Sequence, residues 1–334
     1  MLPTRLRAQS PLLSLVLPCL NESDVIAMTY QRLIRAAGQW DVSVEIIFVD
    51  DGSQDDTWAK IESLSRQDPR IRGVKLSRNF GHQAALGAGL SAARGDAVVT
   101  LDADLQDPPE LIGEMLDKWR EGYDVVYARR NRREGESAFK RLACKVFYRI
   151  LDRFNRVSIP RDTGDFALLD ARLVQTLLGF REHGLFWRGL RCWSGYRHTA
   201  VHFDRPGRAG GQTKYTLGKL FALATDGLLS FSTLPLRFAL FLGAGVLGLT
   251  WLAVLLATAW CMLRPGPTPW PIPSGVLTTL TLGSTQLLCL GIVGEYLNRI
   301  YDEVRDRPRW IIEKTVAAEA AASAQEDPRA RLAG

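Results

Sequence analysis

Ala97–Glu110 reads AVVTLDADLQDPPE, a short apolar run closed at once by a polar cluster, Asp102-Ala103-Asp104-Leu105-Gln106. The same pattern recurs on the N-terminal side. Leu12–Pro18 (LLSLVLP) runs into Cys19-Leu20-Asn21-Glu22, and Val44–Val49 (VEIIFV) into Asp50-Asp51-Gly52-Ser53. Ile71–Leu76 is a weaker run ending at Ser77-Arg78-Asn79-Phe80-Gly81-His82, and Asp124–Tyr127 begins a fifth. Segments of helical length lie between them, at about 22–38, 54–67, 82–94 and 109–121. Continuous apolar strands alternating with helices predict an α/β fold with a parallel sheet covered on both faces. The four polar clusters then share the carboxyl edge, where open α/β sheets bind ligands.

The chain has 334 residues, 46% apolar and 23% charged, which excludes a mini-protein or a disordered chain and predicts at least one full core. Five scattered cysteines with no C-x-x-C pair exclude a disulfide scaffold and a cysteine zinc site. The net charge of +6 is uneven: Tyr127–Arg161 holds eleven Lys and Arg against three acids, a local +8. Such a stripe suits nucleic acid or an anionic membrane. Within it, Phe139, Leu142, Ala143, Val146, Phe147, Ile150, Leu151 and Phe154 repeat at helical spacing, with Lys and Arg between them. Ser137–Phe154 is therefore a basic amphipathic helix, suited to a membrane interface or to packing on the sheet with its basic face solvated.

The downstream sequence favours the membrane. A second amphipathic stretch, Leu217–Phe231, leads into Phe238–Leu263, 26 residues without a charge. That length crosses ~30 Å of hydrocarbon with some tilt. Arg264–Pro271 is a Pro-rich turn, and Gly275–Val293 is a second span weakened by threonines. Arg299, Arg305, Arg307, Arg309 and Lys314 lie beyond it, against Arg264 alone in the turn. The positive-inside rule then puts both termini in the cytosol and the turn outside. A buried helical hairpin in a soluble protein is the alternative. The first residues carry no signal-peptide pattern, so the N-terminal domain is expected to stay cytosolic. With no nucleic-acid motif in the chain, no nucleic-acid partner is expected.

Asp102, Asp104 and Gln106 alternate directly after an apolar strand. In extended chain they point the same way and offer hard oxygen ligands to Mg²⁺ or Mn²⁺ beside a substrate diphosphate. Asp50 and Asp51, on a neighbouring strand end, are placed to accept hydrogen bonds from a nucleoside base or ribose. Other cofactor signals fail. Gly87-Ala88-Gly89-Leu90-Ser91-Ala92 lies inside a helix rather than opening one, and reads as a close-packing face. There is no P-loop, no H-E-x-x-H and no G-x-S-x-G, and His198 and His202 sit in a strand pattern.

The motifs VLPCLNE (16–22), VDDGSQDDT (49–57), SRNFGHQAALGAG (77–89) and DADLQDPPE (102–110) resemble family-2 glycosyltransferases of the polyprenyl-phosphate hexose type. The likeness continues through TGDFALLD (163–170), FWRGLRCWSGYRHTAV (186–201), SFSTLPLR (230–237) and GIVGEYLNRIYDEVRDRPRW (291–310), and is greatest to the bacterial bactoprenol glucosyltransferases. It implies a GT-A, Rossmann-like, mainly parallel sheet domain (12–215, after a flexible 1–11). An interfacial helix lies within that domain at 137–154 and a second comes after it at 216–235. A transmembrane hairpin (236–263 and 274–297, with an external turn at 264–273) and a cytosolic tail (298–334) complete it, which makes a multi-pass inner-membrane protein with its catalytic domain and both termini cytosolic.

The implied reaction moves a hexose, glucose first, from a nucleotide sugar, UDP-glucose first, to undecaprenyl phosphate with inversion. The implied partners are the donor, the lipid acceptor, membrane lipids and three further copies in a homotetramer. By motif, Pro18, Asn21, Glu22, Asp50, Asp51, Ser77, Asp102 and Asp104 would hold the nucleotide sugar, and Asp102, Asp104 and Gln106 the metal. Arg130, Lys140, Arg141, Arg208 and Lys214 would face the lipid phosphate, and Asp165 would sit beside the transferred sugar. Asp104, Asp165 and Arg130 would be the catalytic set. Ala167 departs from the pattern, where an Arg is common. A processive polysaccharide synthase is disfavoured by the absence of a Q-x-x-R-W motif, and a non-catalytic binding protein by the intact Asp102, Asp104 and Gln106.

Overall fold

The computed structural model describes residues 10–130, 163–180, 182, 186–203, 234–263 and 273–317. The chain divides into two compact units. The first comprises residues 1–142, 157–212 and 308–334, and the second 143–156 and 213–307.

In the first unit the described strands form one eight-stranded sheet in the order β7-β5-β6-β4-β1-β2-β3-β8. Its strands are β1 (Leu12–Cys19), β2 (Ser43–Asp50), β3 (Ile71–Leu76), β4 (Ala97–Thr100), β5 (Val125–Arg130), β6 (Thr163–Asp170), β7 (His198–Phe203) and β8 (Ile312–Ala317). The centre, β4-β1-β2-β3, is parallel, as is β5 with β7, whereas β6 and β8 run antiparallel to their neighbours. Helices α1 (Ser23–Ala37), α2 (Thr57–Gln67), α3 (His82–Ala92) and α4 (Ile112–Arg120) connect the strands where the sequence expects them. Helices α5 (Ala171–Leu178) and α6 (Trp187–Trp193) come after β6. The apolar runs in β1 and β2 bury both faces, with Leu13, Leu15, Val16, Leu17, Ile46, Ile47 and Phe48 fully enclosed. That double burial is why those strands read as continuous rather than alternating.

Gly87 and Gly89 lie inside α3, as the packing-face reading requires. A Cβ on Gly89 would stand 2.3 Å from Val16 Cγ1 and 3.0 Å from Val49 Cγ2. The helix thus rides directly on β1 and β2 through a residue with no side chain.

The C-terminal stretch departs from the expected tail. Helix continues past 297 to Val304, and residues 312–317 return as β8, antiparallel to β3. Val316 packs at the rim of the core, within reach of any side chain at Gly73, beside Ile61 and Trp58. Lys75–Glu313 (3.1 Å) and the Lys314–Glu62 pair flank it. Most of β8 is exposed, so its sequence, IEKTVA, carries too little apolar signal to announce a strand.

In the second unit, α7 (Leu234–Leu263) and α8 (Pro273–Val304) pack against each other, and Cys289 Sγ donates to Ala239 O at 3.3 Å. The threonines that weaken the second run are accommodated by the helix. Thr279 and Thr285 donate to the carbonyls one turn back, at 2.9 and 2.8 Å. Over the described residues alone, no helix is long and apolar enough to cross a membrane; many side chains inside both helices fall outside that set. The interfacial helix 137–154, residues 216–233 of the second amphipathic stretch and the turn 264–272 lie outside the described residues.

Candidate active site

The carboxyl ends of β1, β2, β3 and β4 carry the four polar clusters, and the structure ties them together. Asn21, at φ +54°, donates its N–H to Ser53 Oγ (2.9 Å) and accepts from Gln54 N–H at Oδ1 (2.9 Å). Glu22 N–H reaches Thr57 Oγ1 (2.9 Å) and Ser23 N–H reaches Asp55 Oδ2 (3.1 Å). The loop after β1 is thereby stitched to the loop after β2. Pro18 and Glu22 are half-buried at this junction.

Asp50 and Asp51, the acids expected to face a nucleoside, are both tied to the backbone of their own loops. Both Asp51 oxygens are taken by backbone, accepting from Phe80 N–H (2.8 Å) and Gly81 N–H (3.0 Å), so Asp51 clamps the entry to α3. Burial raises its carboxyl above the ordinary range, against those two hydrogen bonds. The clamp needs Gly52 and Gly81 in the left-handed region; at Gly52 (φ +72°) a Cβ would stand 2.6 Å from the Arg78 carbonyl carbon. Asp50 is fully buried, with Oδ1 capping Ser53 N–H (3.1 Å) and Oδ2 unpartnered among the described residues. Ser77 has an exposed side chain and donates its N–H to Ile311 O (2.9 Å).

The segment 102–106 is not extended, so its side chains do not alternate as the sequence pattern suggests. β4 ends at Thr100, Leu105 takes φ +63°, and Asp104 Oδ1 accepts from Gln106 N–H (3.1 Å). This is a carboxylate-capped turn, in which the backbone, not a period of two, sets where the side chains lie. The turn is held from outside. Thr29 Oγ donates to Ala103 O (2.7 Å), Arg32 donates to Leu105 O (3.1 Å), and Asp107 accepts from Asp102 N–H (3.2 Å). Enclosure in the cleft raises the Asp102 carboxyl above its ordinary value, opposed by His82 and reinforced by Asp104 and Asp165. Acids crowded this way gain from a cation.

Asp165, on β6, is the most heavily bound acid of the site. Arg188 on α6 grips it with two bonds, Nε to Oδ1 (2.8 Å) and Nη2 to Oδ2 (2.9 Å). Gln83 Nε2 adds a third donor at 3.3 Å, and His82 Nε2 lies 3.2 Å from Oδ2. Burial acts to raise this carboxyl, but Arg188 and His82 outweigh it and hold it far below the usual range. His82 also approaches Asp102 Oδ1 at 3.9 Å. Burial works against its cation, yet Asp165 and Asp102 more than offset that and raise its pKa. Behind them Arg191, 3% exposed, donates to Gly164 O (2.7 Å) and stacks over Tyr127. Sequence reasoning misses His82, Gln83, Arg188 and Arg191 as site residues, although each lies in a motif that carries the family resemblance; nothing local in sequence pairs α3 or α6 with Asp165.

Ala167, two residues on from Asp165, is fully buried between Thr100 and Tyr127. Arg130 closes β5 opposite Phe203, and its side chain is outside the described residues. Lys140, Arg141, Arg208 and Lys214 also lie outside them. Among the described residues no group of three or more His, Cys, Asp or Glu is arranged to hold a metal by itself. Two carboxylates completed by substrate oxygens are what Mg²⁺ and Mn²⁺ ordinarily take.

Residues 14–178 match the profile of glycosyl transferase family 2. An uncharacterized glycosyltransferase of Bacillus subtilis, YkcC, is 42% identical over 92% of this chain and 94% of its own. The chain belongs to that family. Its likeness to the uncharacterized glycosyltransferase sll0501 of Synechocystis is 43% over 90% of this chain and 94% of that one. The prophage-derived bactoprenol glucosyl transferase of Shigella flexneri is 36% identical over 91% of this chain and 98% of its own.

Proposed function

We propose that the chain transfers a hexose, glucose first, from a UDP-sugar to the phosphate of undecaprenyl phosphate, inverting the anomeric centre. The observation that carries this reading is His82, whose Nε2 lies 3.2 Å from Asp165 Oδ2 and 3.9 Å from Asp102 Oδ1; on this reading it links the acids proposed for the diphosphate to the acid proposed for the sugar. The bactoprenol glucosyl transferase name of the Shigella relative supports the acceptor and the sugar.

At pH 7 a phosphate monoester is mostly a dianion and needs no base to remove a proton. Its oxygen attacks C1 of the sugar while the C1–oxygen bond to the diphosphate breaks. An Asp165 saturated with donors suits that chemistry: it orients Arg188, His82 and Gln83 toward the sugar and takes no proton. Asp102 and Asp104 would hold Mg²⁺ or Mn²⁺, with Gln106 at the same turn, and the ion would stabilise the departing diphosphate. Arg130, Lys140, Arg141, Arg208 and Lys214 are proposed for the lipid phosphate.

Two features support a membrane hairpin at α7 and α8. Phe241, Leu249, Trp251, Leu255 and Leu256 on α7, and Leu287, Leu290 and Leu297 on α8, are all exposed, a cost in water that lipid removes. The chain also leaves the sheet before the hairpin and re-enters it as β8, which two crossings permit and an odd number forbids.

The test is a transfer assay with the full chain in lipid nanodiscs, undecaprenyl phosphate, Mg²⁺ or Mn²⁺, and radiolabelled UDP-glucose, UDP-galactose or GDP-mannose. Label from UDP-glucose should enter the organic phase, and should be lost with EDTA and in folded Asp104→Asn. No label from any donor overturns the activity, and full turnover by Asp104→Asn overturns the metal assignment.

A further inference from the structure

The residues just beyond α8 do more than connect it to β8. Arg309 donates to Phe180 O, Ile311 O accepts from Ser77 N–H (2.9 Å), and the Trp310 ring lies against α3 at Gly87. A Cβ on Gly87 would meet Trp310 Cζ3 at 2.7 Å and Trp187 Cζ2 at 2.9 Å, so the two indoles share the space left by that glycine. Trp187 is 2% exposed and fixed to the same helix, its Nε1–H donating to Gln83 O (2.8 Å) and its backbone N–H to Gln83 Oε1 (3.3 Å). Gln83 Nε2 then reaches Asp165, and Arg188, the residue after Trp187, forks onto the same carboxylate. Trp310 and Trp187 thus rest on the same niche of α3, the helix that carries Gln83, and Trp187 is the neighbour of Arg188 in sequence.

We infer that Trp310 is a positioning residue for the Asp165–Arg188 pair, acting through Trp187 and Gln83. The role in transfer rests on the activity proposed above; the mechanical coupling does not. Groups packed into one niche transmit small displacements to each other, because close packing leaves little slack. A displacement of about 1 Å at a reacting geometry costs on the order of 10²-fold in rate. Removing the Trp310 ring frees Trp187 to turn into the vacated space, and Arg188 moves with it.

The test uses the full chain in nanodiscs with Trp310→Ala and Trp310→Phe. Two readouts are independent: hydrogen exchange of the peptide spanning residues 186–193, and transfer kinetics with separately measured donor binding. Trp310→Ala should raise exchange in that peptide and lower kcat about 10–100-fold. Donor Kd should stay within about twofold, and Trp310→Phe should recover most of both losses, since a ring still fills the Gly87 niche. Unchanged exchange in Trp310→Ala overturns the coupling whether or not the parent chain transfers sugar. Altered exchange with kcat within about twofold of the parent overturns the catalytic role. Equal loss of donor binding and kcat, unrelieved by Phe, makes the residue a general structural one and also overturns it. A parent chain that transfers nothing, with normal exchange coupling, refutes the activity and with it the role in transfer, while upholding the mechanical link.

Discussion

Arg188 meets Asp165 through two parallel N–H···O bonds, a geometry that a guanidinium supplies and an ammonium does not. Arg188→Lys should therefore keep the charge and lose the fork. We predict a fall in transfer of about 10–100-fold with donor affinity unchanged within about twofold, the signature of a misplaced group rather than a lost binding charge. Steady-state kinetics beside donor titration decide it, and near-parental turnover by Arg188→Lys would show that charge alone suffices. The partners in this pair are legible in sequence only as members of two motifs. Nothing in residues 163–170 or 186–193 says that one guanidinium reaches the other segment's acid, because that contact is set by the packing of α6 onto β6. The turn at Asp102–Gln106 shows the same limit: its acids are legible, but the left-handed Leu105 and the captured Gln106 N–H are not.

At the scale of elements, burial decides what sequence can reveal. Strands buried on both faces announce themselves by composition, and β1 to β4 are legible for that reason. β8, exposed along most of its length, is not. Helix α3 is legible as a packing face, and its Gly89 makes a sharp stability test when set beside Gly113 of α4. Gly89→Ala places a methyl 2.3 Å from Val16 and should destabilise by about 1–3 kcal/mol through overpacking. Gly113→Ala, in α4, meets only ordinary contacts at 3.6 Å from Trp40 and should stabilise by about 0.5–1 kcal/mol through helix propensity. Denaturant midpoints of the two variants should move in opposite directions; a midpoint of Gly89→Ala at or above the parent's would contradict the α3 packing.

The junction of α2 with β3 gives a pH test. Asp68 accepts from Arg70 and from Tyr30 Oη (2.9 Å), and chiefly the Arg70 hydrogen bonds hold its carboxyl down at about 2. Its folded pKa lies below the unfolded one. The contribution, about 2 kcal/mol, is therefore present above about pH 4 and lost as pH falls toward 2. Asp68→Asn should lower the unfolding midpoint at pH 7 and show a shrinking difference from the parent between pH 4 and pH 2. A difference independent of pH would remove the ionic account.

For the whole molecule, chain order and sheet order together constrain topology more tightly than hydropathy does. β3 and β8 are hydrogen-bonded neighbours, yet α7 and α8 lie between them in sequence. Whatever the hairpin does, its two ends must return to the same compartment, so any membrane crossing comes in pairs. If the pair crosses, the positive-inside rule puts its ends inside: Arg299 lies near the end of α8 and Arg305, Arg307, Arg309 and Lys314 beyond it, whereas residues 264–272 hold Arg264 alone. The prediction is that Thr268→Cys, in a chain whose five native cysteines are replaced, reacts with a membrane-impermeant maleimide added outside intact cells. Cysteines introduced at Ser10 and at Thr315 should react only after the membrane is opened. Labelling of Ser10→Cys and Thr315→Cys on opposite sides would contradict the β3–β8 pairing itself. Protection of Thr268→Cys from outside, with labelling after lysis, would keep the pairing and reject the crossing, leaving the hairpin to lie along the cytosolic face.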